Sequence, residues 1–574
     1  MARRSLAARI LRRLVPRRGV PPATPPATRD APNAATVAPE PAPVVDLEPV
    51  HRLGDALWAG LATVARPALE ARLTPVTEPA EVVTAAAHHL GAWAVMNGEV
   101  DLAEAVADHL DTSAVDQAVV AAHIARLRGD EAGARAVLAE ATSRYPDDAH
   151  VRLHLADLGS LADRLTSIDT LLVAAGCDPL RITRPVATFA DLPVLPTYRS
   201  PLEAVDAALN PLVTVIVPAY RAAATIAHAL ASLQAQTYPH LQIIVVEDAG
   251  GDETAEIVRQ LARDDVRLSL VRQPVNRGAY AARNAGLERA TGAFVTVHDA
   301  DDWAHPQRID RQVRHLLAHP DLVANATHLV RVDEHLHFQP HGRHPYKLVG
   351  KNTASLMVRR EIFSVVGPWD AGVRGGADFE FVKRLEARFG APAIGHLLRR
   401  APLTLSLRHE TSLTSSATTG MRSLWHLYGA RRQYLDAFTA WHRSERFPRD
   451  LPWHPDAPRP FPAPLALTGG TASSFVDVVV RGDLSAGASG VSDAVTQVVR
   501  AAGAGRSLAL WHEPPGLDDL DAGLDLAIMR LLADRRARLL SAGEQVRCQN
   551  LITVGRPSAL GVVEGAPEVT VVPW

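Results

Sequence analysis

The sequence predicts an α/β fold, a mostly parallel sheet flanked by helices, preceded by an all-α region and followed by a partial Rossmann-like α/β unit. Three observations carry this. From Pro211 to Ala300, short apolar runs alternate with amphipathic stretches of helical length, the pattern of a parallel sheet with right-handed crossovers. From about Leu47 to Ala175, strand signals vanish while Ala, Leu and charged residues recur at helical spacing. From Phe475, a strand, a small-residue loop, a helix and a second strand follow in order.

A chain of 574 residues exceeds one ordinary core, and about three or four domains are expected. Sixty basic and 63 acidic residues leave a net charge of −3, which gives no bulk attraction to nucleic acid. Cys177 and Cys548 lie far apart and lack metal-ligand spacing, so no disulfide framework is predicted and a cytoplasmic setting fits. No apolar run reaches about eighteen residues, the length of a membrane-spanning helix.

Residues 1–46 begin with MARRSLAARILRRLVPRRG, in which Leu6, Ile10, Leu11 and Leu14 are spaced for one helical face among seven arginines. Residues 1–19 are read either as a peripheral anchor on the inner, anionic face of a membrane or as a flexible basic tail. The Pro/Ala-rich stretch after them is expected to be a disordered linker. Within residues 47–200, Gly98-Glu99 followed by DLAEAVADHL is echoed thirty-one residues later by Gly129-Asp130 followed by AGARAVLAEA. The echo resembles a tetratricopeptide-like helical hairpin, a candidate surface for a protein partner; a bundle with Ala-rich packing faces is the competing reading.

Residues 211–420 hold the main sheet. PLVTVIVPAY, LQIIVVEDAG, VRLSLVRQP and GAFVTVHDA read as strands, with TIAHALASLQAQ, DETAEIVRQLARD and AYAARNAGLERA as the helices between them. Residues 421–470 read as a helical segment and a proline-rich linker, and 475–574 as one βαβ unit whose SAGASG loop is a candidate phosphate cradle.

Ligands of parallel sheets bind outside the carboxyl ends of the strands. PAY, EDAGGD, NRG and DADD each follow a strand, so all four should gather on one edge. Tyr220, after the strand-ending Pro218, offers a face on which a base can stack. Asp248 can accept from a base or ribose, and Arg277 and Arg283 suit a diphosphate. Asp299, Asp301 and Asp302 supply hard oxygen ligands for Mn²⁺ or Mg²⁺ shared with substrate phosphates. Base, ribose, diphosphate and metal together describe a site for a nucleotide-diphosphate donor.

PAYRAAATIAHALASLQAQTYPHLQIIVVEDAGGDET, NRGAYAARNAG, GAFVTVHDADDWAHPQRI and VGPWDAGVRGGADFEFVKRL together resemble a family 2 glycosyltransferase of GT-A fold, over about Val213 to Thr414. The resemblance implies an inverting, metal-dependent enzyme that takes a nucleotide-diphosphate sugar and glycosylates a glycan or glycolipid acceptor, in bacterial cell-surface polysaccharide or glycolipid synthesis. It implies that Tyr220 and Asp248 bind the nucleobase and that Arg283 lies near the phosphates. Asp299 and Asp301 match the D-x-D, with Asp301 in direct metal contact and Asp299 on the nucleotide side. Asp378 falls at the general base. The family's preceding Glu is here Ala377, a departure for which Glu380 is expected to compensate by position. SLRHETSLTS is similar to the family's later Arg/His segment, which implies that His409 approaches the metal or diphosphate. The C-terminal unit resembles the opening lobe of a GT-B transferase without a second lobe, and no second activity is expected from it.

Each residue also has a plainer reading. Tyr220 could be a packed rim residue and Arg283 a solvated helical one. Asp248 could cap the helix near Glu253, Asp302 a helix near His305, and Asp378 its own helix. Trp303, His298 and His305 are expected to pack or hydrogen-bond locally. Ala377 sustains an alternative function, a non-catalytic scaffold on a degenerate transferase fold. A nucleotidyltransferase would want a Gly-rich basic loop after the first strand, which PAYRAAAT does not supply.

Overall fold

The computed structural model describes residues 45–572 apart from 59–60, 75–76, 183–184, 194–209, 343, 409–429, 455–456, 470–474, 489, 504, 514–515, 517–522, 541–543 and 556–565. The basic segment 1–19 and His409 therefore lie outside the described residues.

The helical region comprises α1 (Glu48–Trp58), α2 (Ala62–Glu70), α3 (Ala80–Asn97), α4 (Val100–Val106), α5 (Val115–Leu127), α6 (Glu131–Arg144), α7 (Ala149–Asp157) and α8 (Leu161–Ala174). Consecutive helices pair as hairpins, and α1, α3, α5 and α7 pack on one another in turn. The two glycines that begin the echoed segments, Gly98 and Gly129, both have positive φ, 71° and 78°, the left-handed turn that a Cβ disfavours. Side chains of Asp130, Asp148 and Ser160 cap α6, α7 and α8, taking up N–H groups that a helix start leaves unpaired.

The main sheet alternates strands and helices as the sequence predicts. Its strands are β1 (Val213–Ala219), β2 (Leu241–Glu247), β3 (Leu268–Arg272) and β4 (Phe294–Val297), with α9 (Ile226–Gln234), α10 (Thr254–Asp264) and α11 (Ala279–Glu288) between them. β1 lies between β2 and β4, parallel to both, and β3 adds parallel to β2. Val213, Val215 and Val217 enter the core beneath one face and Ile216 the core on the other, the alternation that a sheet covered on both faces requires.

The chain then runs through β5 (Asp302–Ala304), α12 (Arg308–Ala318), β6 (Ala324–Ala326), β7 (His328–Val332), β8 (Phe338–Gln339), β9 (Val349–Lys351), β10 (Met357–Arg359), α13 (Arg360–Val366), α14 (Ala377–Phe389), β11 (Ile394–His396) and β12 (Pro402–Leu407). The main sheet has the order β11-β6-β10-β4-β1-β2-β3, with β10 antiparallel to both neighbours. β5, β12, β7 and β8 form a second sheet, to which β9 adds on β7. Asp302 is therefore a strand residue opposite Ser406, not a helix cap: α12 begins six residues later, behind Gln307, with no side-chain cap. The extended conformation is imposed by pairing with a strand about a hundred residues away.

The segment after residue 429 forms α15 (Ala430–Arg443), α16 (Leu465–Thr468), β13 (Phe475–Gly482), α17 (Val491–Ala502), β14 (Leu508–His512), α18 (Leu526–Ala533), β15 (Arg538–Leu539), β16 (Gln545–Val554) and β17 (Glu568–Val571). The proline-rich stretch is packed rather than loose: Phe447, Trp453 and Phe461 are buried against α15 residues Phe438 and Trp441. The C-terminal unit is larger than one βαβ motif. Its five strands are all parallel, in the order β15-β14-β13-β16-β17, which is the 3-2-1-4-5 order of a doubly wound sheet.

α14 is pinned to α15 through charge. Glu380 and Arg384 form a fully buried ion pair, Arg384 also donates to the carbonyls of Val366 (3.0 Å) and Pro368 (2.8 Å), and His442 lies 3.2 Å from Glu380. Burial would push the Glu380 carboxyl up, but the Arg384 charge and the His442 contact outweigh it and hold it below its usual range. Glu380 is thus committed to the core and does not compensate for Ala377.

The helical region grips residues 344–349 of the loop before and into β9. Tyr346 Oη donates to Asp148 Oδ2 (2.6 Å), and His150 Nδ1 accepts from the N–H groups of Leu348 (3.0 Å) and Val349 (3.2 Å). His154 Nε2 donates to the Tyr346 carbonyl (3.1 Å), and the Nε2 atoms of His88 and His344 lie 3.0 Å apart. As acceptors, the His150 and His344 imidazoles, the latter taking the Tyr346 N–H at Nδ1 (3.2 Å), must be neutral. Burial pushes His88, His150 and His154 down, and His344 to about 3.

Two expectations follow from this packing. Histidines held below their unfolded value of about 6.5 stabilise the fold fully above that pH and lose the contribution as pH falls toward their folded values. Thermal unfolding should show a midpoint flat from pH 8 to 7 that falls below about pH 6.5, with a shallower fall in His344→Gln; a midpoint indifferent to pH down to 5 rejects the idea. Glu380→Ala strands a buried guanidinium and should cost about 3–5 kcal/mol in denaturant unfolding.

Candidate active site

The carboxyl ends of β1, β2 and β4 bring three of the four predicted motifs to one edge, joined by the NRG loop that precedes α11. Pro218 sits past Ile216, the last β1 residue paired with β4, where a missing N–H does not interrupt that ladder. Tyr220 follows at the rim, 47% exposed, with the Arg221 guanidinium 5.3 Å from its ring centroid. Its open face fits a stacking platform better than a packed rim residue.

Asp248 is buried, and each of its oxygens accepts a backbone N–H, Oδ1 from Arg277 (2.9 Å) and Oδ2 from Gly278 (2.7 Å). It caps no helix; it shapes the NRG loop. Burial pushes its carboxyl up and the two N–H groups pull it back in part. Gly278 has φ 91°, so the loop turns where a side chain would be strained. Arg277 contributes this backbone contact while the residue itself is exposed. Arg374 donates to Asn276 Oδ1 (3.0 Å) and braces the loop from the other side.

The ARNAG run divides its labour along α11. Arg283 is buried and donates to Asp299 Oδ1 at 3.3 Å. Asn284 exchanges two hydrogen bonds with the backbone of Trp369 (2.8 and 3.1 Å). At Gly286 a Cβ would lie 2.5 Å from Ile216, so only glycine lets α11 approach β1 this closely. Tyr280, one turn before Arg283, lies beneath the guanidinium, 5.1 Å from ring centroid to Cζ.

Asp378, second residue of α14, accepts from Tyr280 Oη at Oδ1 (2.9 Å) and from Thr353 Oγ1 at Oδ2 (3.0 Å). It also takes a backbone contact from Phe379 at its own helix start. Burial would raise its carboxyl, but the Arg283 charge and the two hydroxyl donors outweigh that and hold it below the usual range. The Asp299 side chain is 39% exposed. Desolvation raises its carboxyl against the pull of Arg283, with Asp301 and Asp378 adding repulsion. Asp302 is buried and pushed well up, first by burial and then by Asp301 and Asp299.

Behind these acids, Arg308 is fully buried, and its Nε and Nη2 have no hydrogen-bond partner among the described residues; burial lowers it to about 10. His298 binds the Asp302 carbonyl (3.1 Å), Trp303 donates to the Pro193 carbonyl (3.0 Å) and His305 to that of Asp178 (3.0 Å). Only the His298 contact is local; Trp303 and His305 reach back to the segment that follows α8. Among the described residues no three His, Cys, Asp or Glu side chains converge in a metal-binding group.

Sequence reasoning did not single out Tyr280, Thr353, Arg308 or Arg374. Tyr280 was findable, since it precedes Arg283 by three residues on one helical face. Thr353 carried no local signal; only the fold brings it beside a residue 25 positions away.

Residues 214–374 match the family described as Glycosyl transferase family 2. Glycosyltransferase AglE of Haloferax volcanii is 31% identical over 186 residues, 30% of this chain and 61% of the relative. The putative teichuronic acid biosynthesis glycosyltransferase TuaG of Bacillus subtilis is 36% identical over 108 residues, 19% of this chain and 43% of the relative. The chain thus spans roughly two fifths to three fifths of the length of these relatives. S. aureus TarS 1–349 in complex with UDP matches at 20% identity over 35% of this chain and 61% of that chain, with a TM-score of 0.29, too low to carry an argument. The family match falls on the strands and loops that build this edge, within a mostly parallel α/β domain.

Proposed function

We propose that the protein is an inverting glycosyltransferase that moves a sugar from a nucleotide-diphosphate donor to an acceptor hydroxyl on a cell-surface glycan or glycolipid. The observation that carries this reading is the buried guanidinium of Arg283, which faces Asp299, at the D-x-D, and Asp378, at the base position. One cation thereby ties the donor side of the edge to a carboxylate able to take a proton. The role of TuaG in teichuronic acid biosynthesis supports a surface polymer as the acceptor class. Among the described residues no helix is long and apolar enough to cross a membrane; peripheral attachment through residues 1–19 is part of this proposal.

The chain's own residues divide the chemistry. Tyr220 offers its exposed face to the base, and the loop held by Asp248 presents backbone to the diphosphate. Asp378, kept ionised, takes the proton of the acceptor hydroxyl as that oxygen attacks the anomeric carbon. A single base suffices for inversion, so the paired carboxylates of a hydrolase are not needed. Asp299 and Asp301 fit a divalent cation: the upward push on Asp299, partly from Asp301, is the repulsion that a shared cation offsets. Mn²⁺ or Mg²⁺ held there with the donor phosphates would act as Lewis acid toward the departing diphosphate.

A calorimetric panel of UDP-, GDP-, CDP- and dTDP-sugars with and without Mn²⁺ tests the reading. One donor class is expected to bind in a cation-dependent way, and Asp301→Ala should abolish that dependence; binding and turnover that survive chelation in the wild type would remove the metal role. Asp378→Asn should bind the donor as tightly as wild type yet lose about 10²–10⁴-fold in turnover, the usual contribution of a general base. Near-wild-type turnover in that variant retires Asp378 as the base.

A further inference from the structure

We infer that Tyr280 and Thr353 are the positioning residues of the Asp378 base, gripping its two oxygens so that the carboxylate meets the acceptor hydroxyl in one orientation. This rests on the proposed role of Asp378 and adds to it the parts that make that role possible without the neighbouring acid, whose place is taken by Ala377.

The argument is geometric. A phenol has one proton to give. The N–H of Gly376 donates to Tyr280 Oη at 3.1 Å, which leaves the phenolic proton to be directed at Asp378 Oδ1, 2.9 Å away. Burial, then the Asp378 charge, pushes the Tyr280 phenol up, so it stays a donor. Thr353 Oγ1 reaches Oδ2 from the opposite element, the turn after β9. With Tyr280 on Oδ1 and Thr353 on Oδ2, beside a backbone contact from Phe379, both carboxylate torsions are fixed. A carboxylate has about four lone-pair sites, so these three donors leave one for a hydroxyl proton.

The grip has a scaffold of its own. Gly376 has φ 89°, a turn that aims its N–H at Tyr280 while starting α14. Tyr280 is held in turn by the guanidinium over its ring. Thr353 follows Asn352, which is buried, donates its N–H to the Thr327 carbonyl (3.0 Å) and accepts at its side chain from Ser355 N–H (3.1 Å). Neither hydroxyl is on a loose segment.

The test measures release of nucleoside diphosphate from a pool of UDP-, GDP-, CDP- and dTDP-sugars with Mn²⁺, alongside calorimetric binding of UDP and GDP. Tyr280→Phe and Thr353→Val should each lower turnover about tenfold or more, as loss of a hydrogen bond to a charged group would, while nucleotide Kd and donor KM stay within about twofold. Thr353→Ser, which keeps the hydroxyl, should recover most of the rate. Thermal midpoints show whether Tyr280→Phe is folded; the Thr353 pair decides the matter if it is not. Wild-type turnover in Thr353→Val, or a Kd that rises in step with the lost rate, overturns the positioning role. Asp378→Asn separates the two ideas: an inactive Asp378→Asn beside a fully active Thr353→Val sinks only the positioning role. A fully active Asp378→Asn, or a wild type that releases nothing from the pool, removes the reading beneath it.

Discussion

The buried guanidinium of Arg283 is the constraint around which the site is organised. Asp299, Asp301, Asp302 and Asp378 converge on one edge, and desolvated acids at such spacing repel. Arg283 sits within hydrogen-bond reach of Asp299, acts on Asp378 by charge and covers the Tyr280 ring. Burial lowers an arginine's affinity for its proton, yet the surrounding acids more than restore it. The two sides therefore stabilise each other: the Arg283 charge favours the ionised forms of Asp299 and Asp378, and those carboxylates offset the desolvation of the guanidinium. Asp378 is the beneficiary, since it is the acid that ends below its usual range while Asp299 and Asp302 end above theirs.

Arg283 can hold that place because its helix is fixed from three directions. Gly286 lets α11 close on β1, Asn284 ties it to the Trp369 backbone, and Gly278 begins it where Asp248 fixes the loop. The second sheet supplies the opposite wall. Its outer face joins α7 and α8 in one apolar cluster that includes Leu153, Leu172, Trp303, Val330 and Leu405. The helical region is thus packed on the strands that carry Asp302 and, through β9, Thr353. Packing and chemistry share these elements, which is why the loop gripped by the neutral histidines lies only a few residues from a donor to Asp378.

Much of this edge was legible in the sequence because its signals are local. Each of PAY, EDAGGD and DADD ends an apolar run, NRG opens the amphipathic α11, and the parallel topology brings such positions together whatever the loops do. What escaped notice was non-local. Asp302 reads as a cap from its neighbours and is made a strand residue by β12. Glu380 stands two positions from Asp378, and on a helix that separation points it away from the site, into the pair with Arg384. Thr353 has no motif at all. The strands β15 and β17 are the two edges of the C-terminal sheet, and at two and four residues they are too short to show a periodicity from which to predict them.

Ala377 is where the two levels meet. As a letter it is a missing acid; in the fold it is fully buried, in one apolar cluster with Phe381 of its own helix and with Ala430 and Tyr434 of α15. The nearby polar groups are already engaged: Tyr434 donates to Asp370 Oδ2 at 2.9 Å, and Arg459 donates to the same carboxylate at 2.7 Å. A glutamate at 377 would place a carboxylate inside this apolar cluster, where a buried charge is costly unless it is paired. The apolar methyl fits that packing, and Asp378 beside it is held by the Arg283 charge and the Tyr280 and Thr353 hydroxyls.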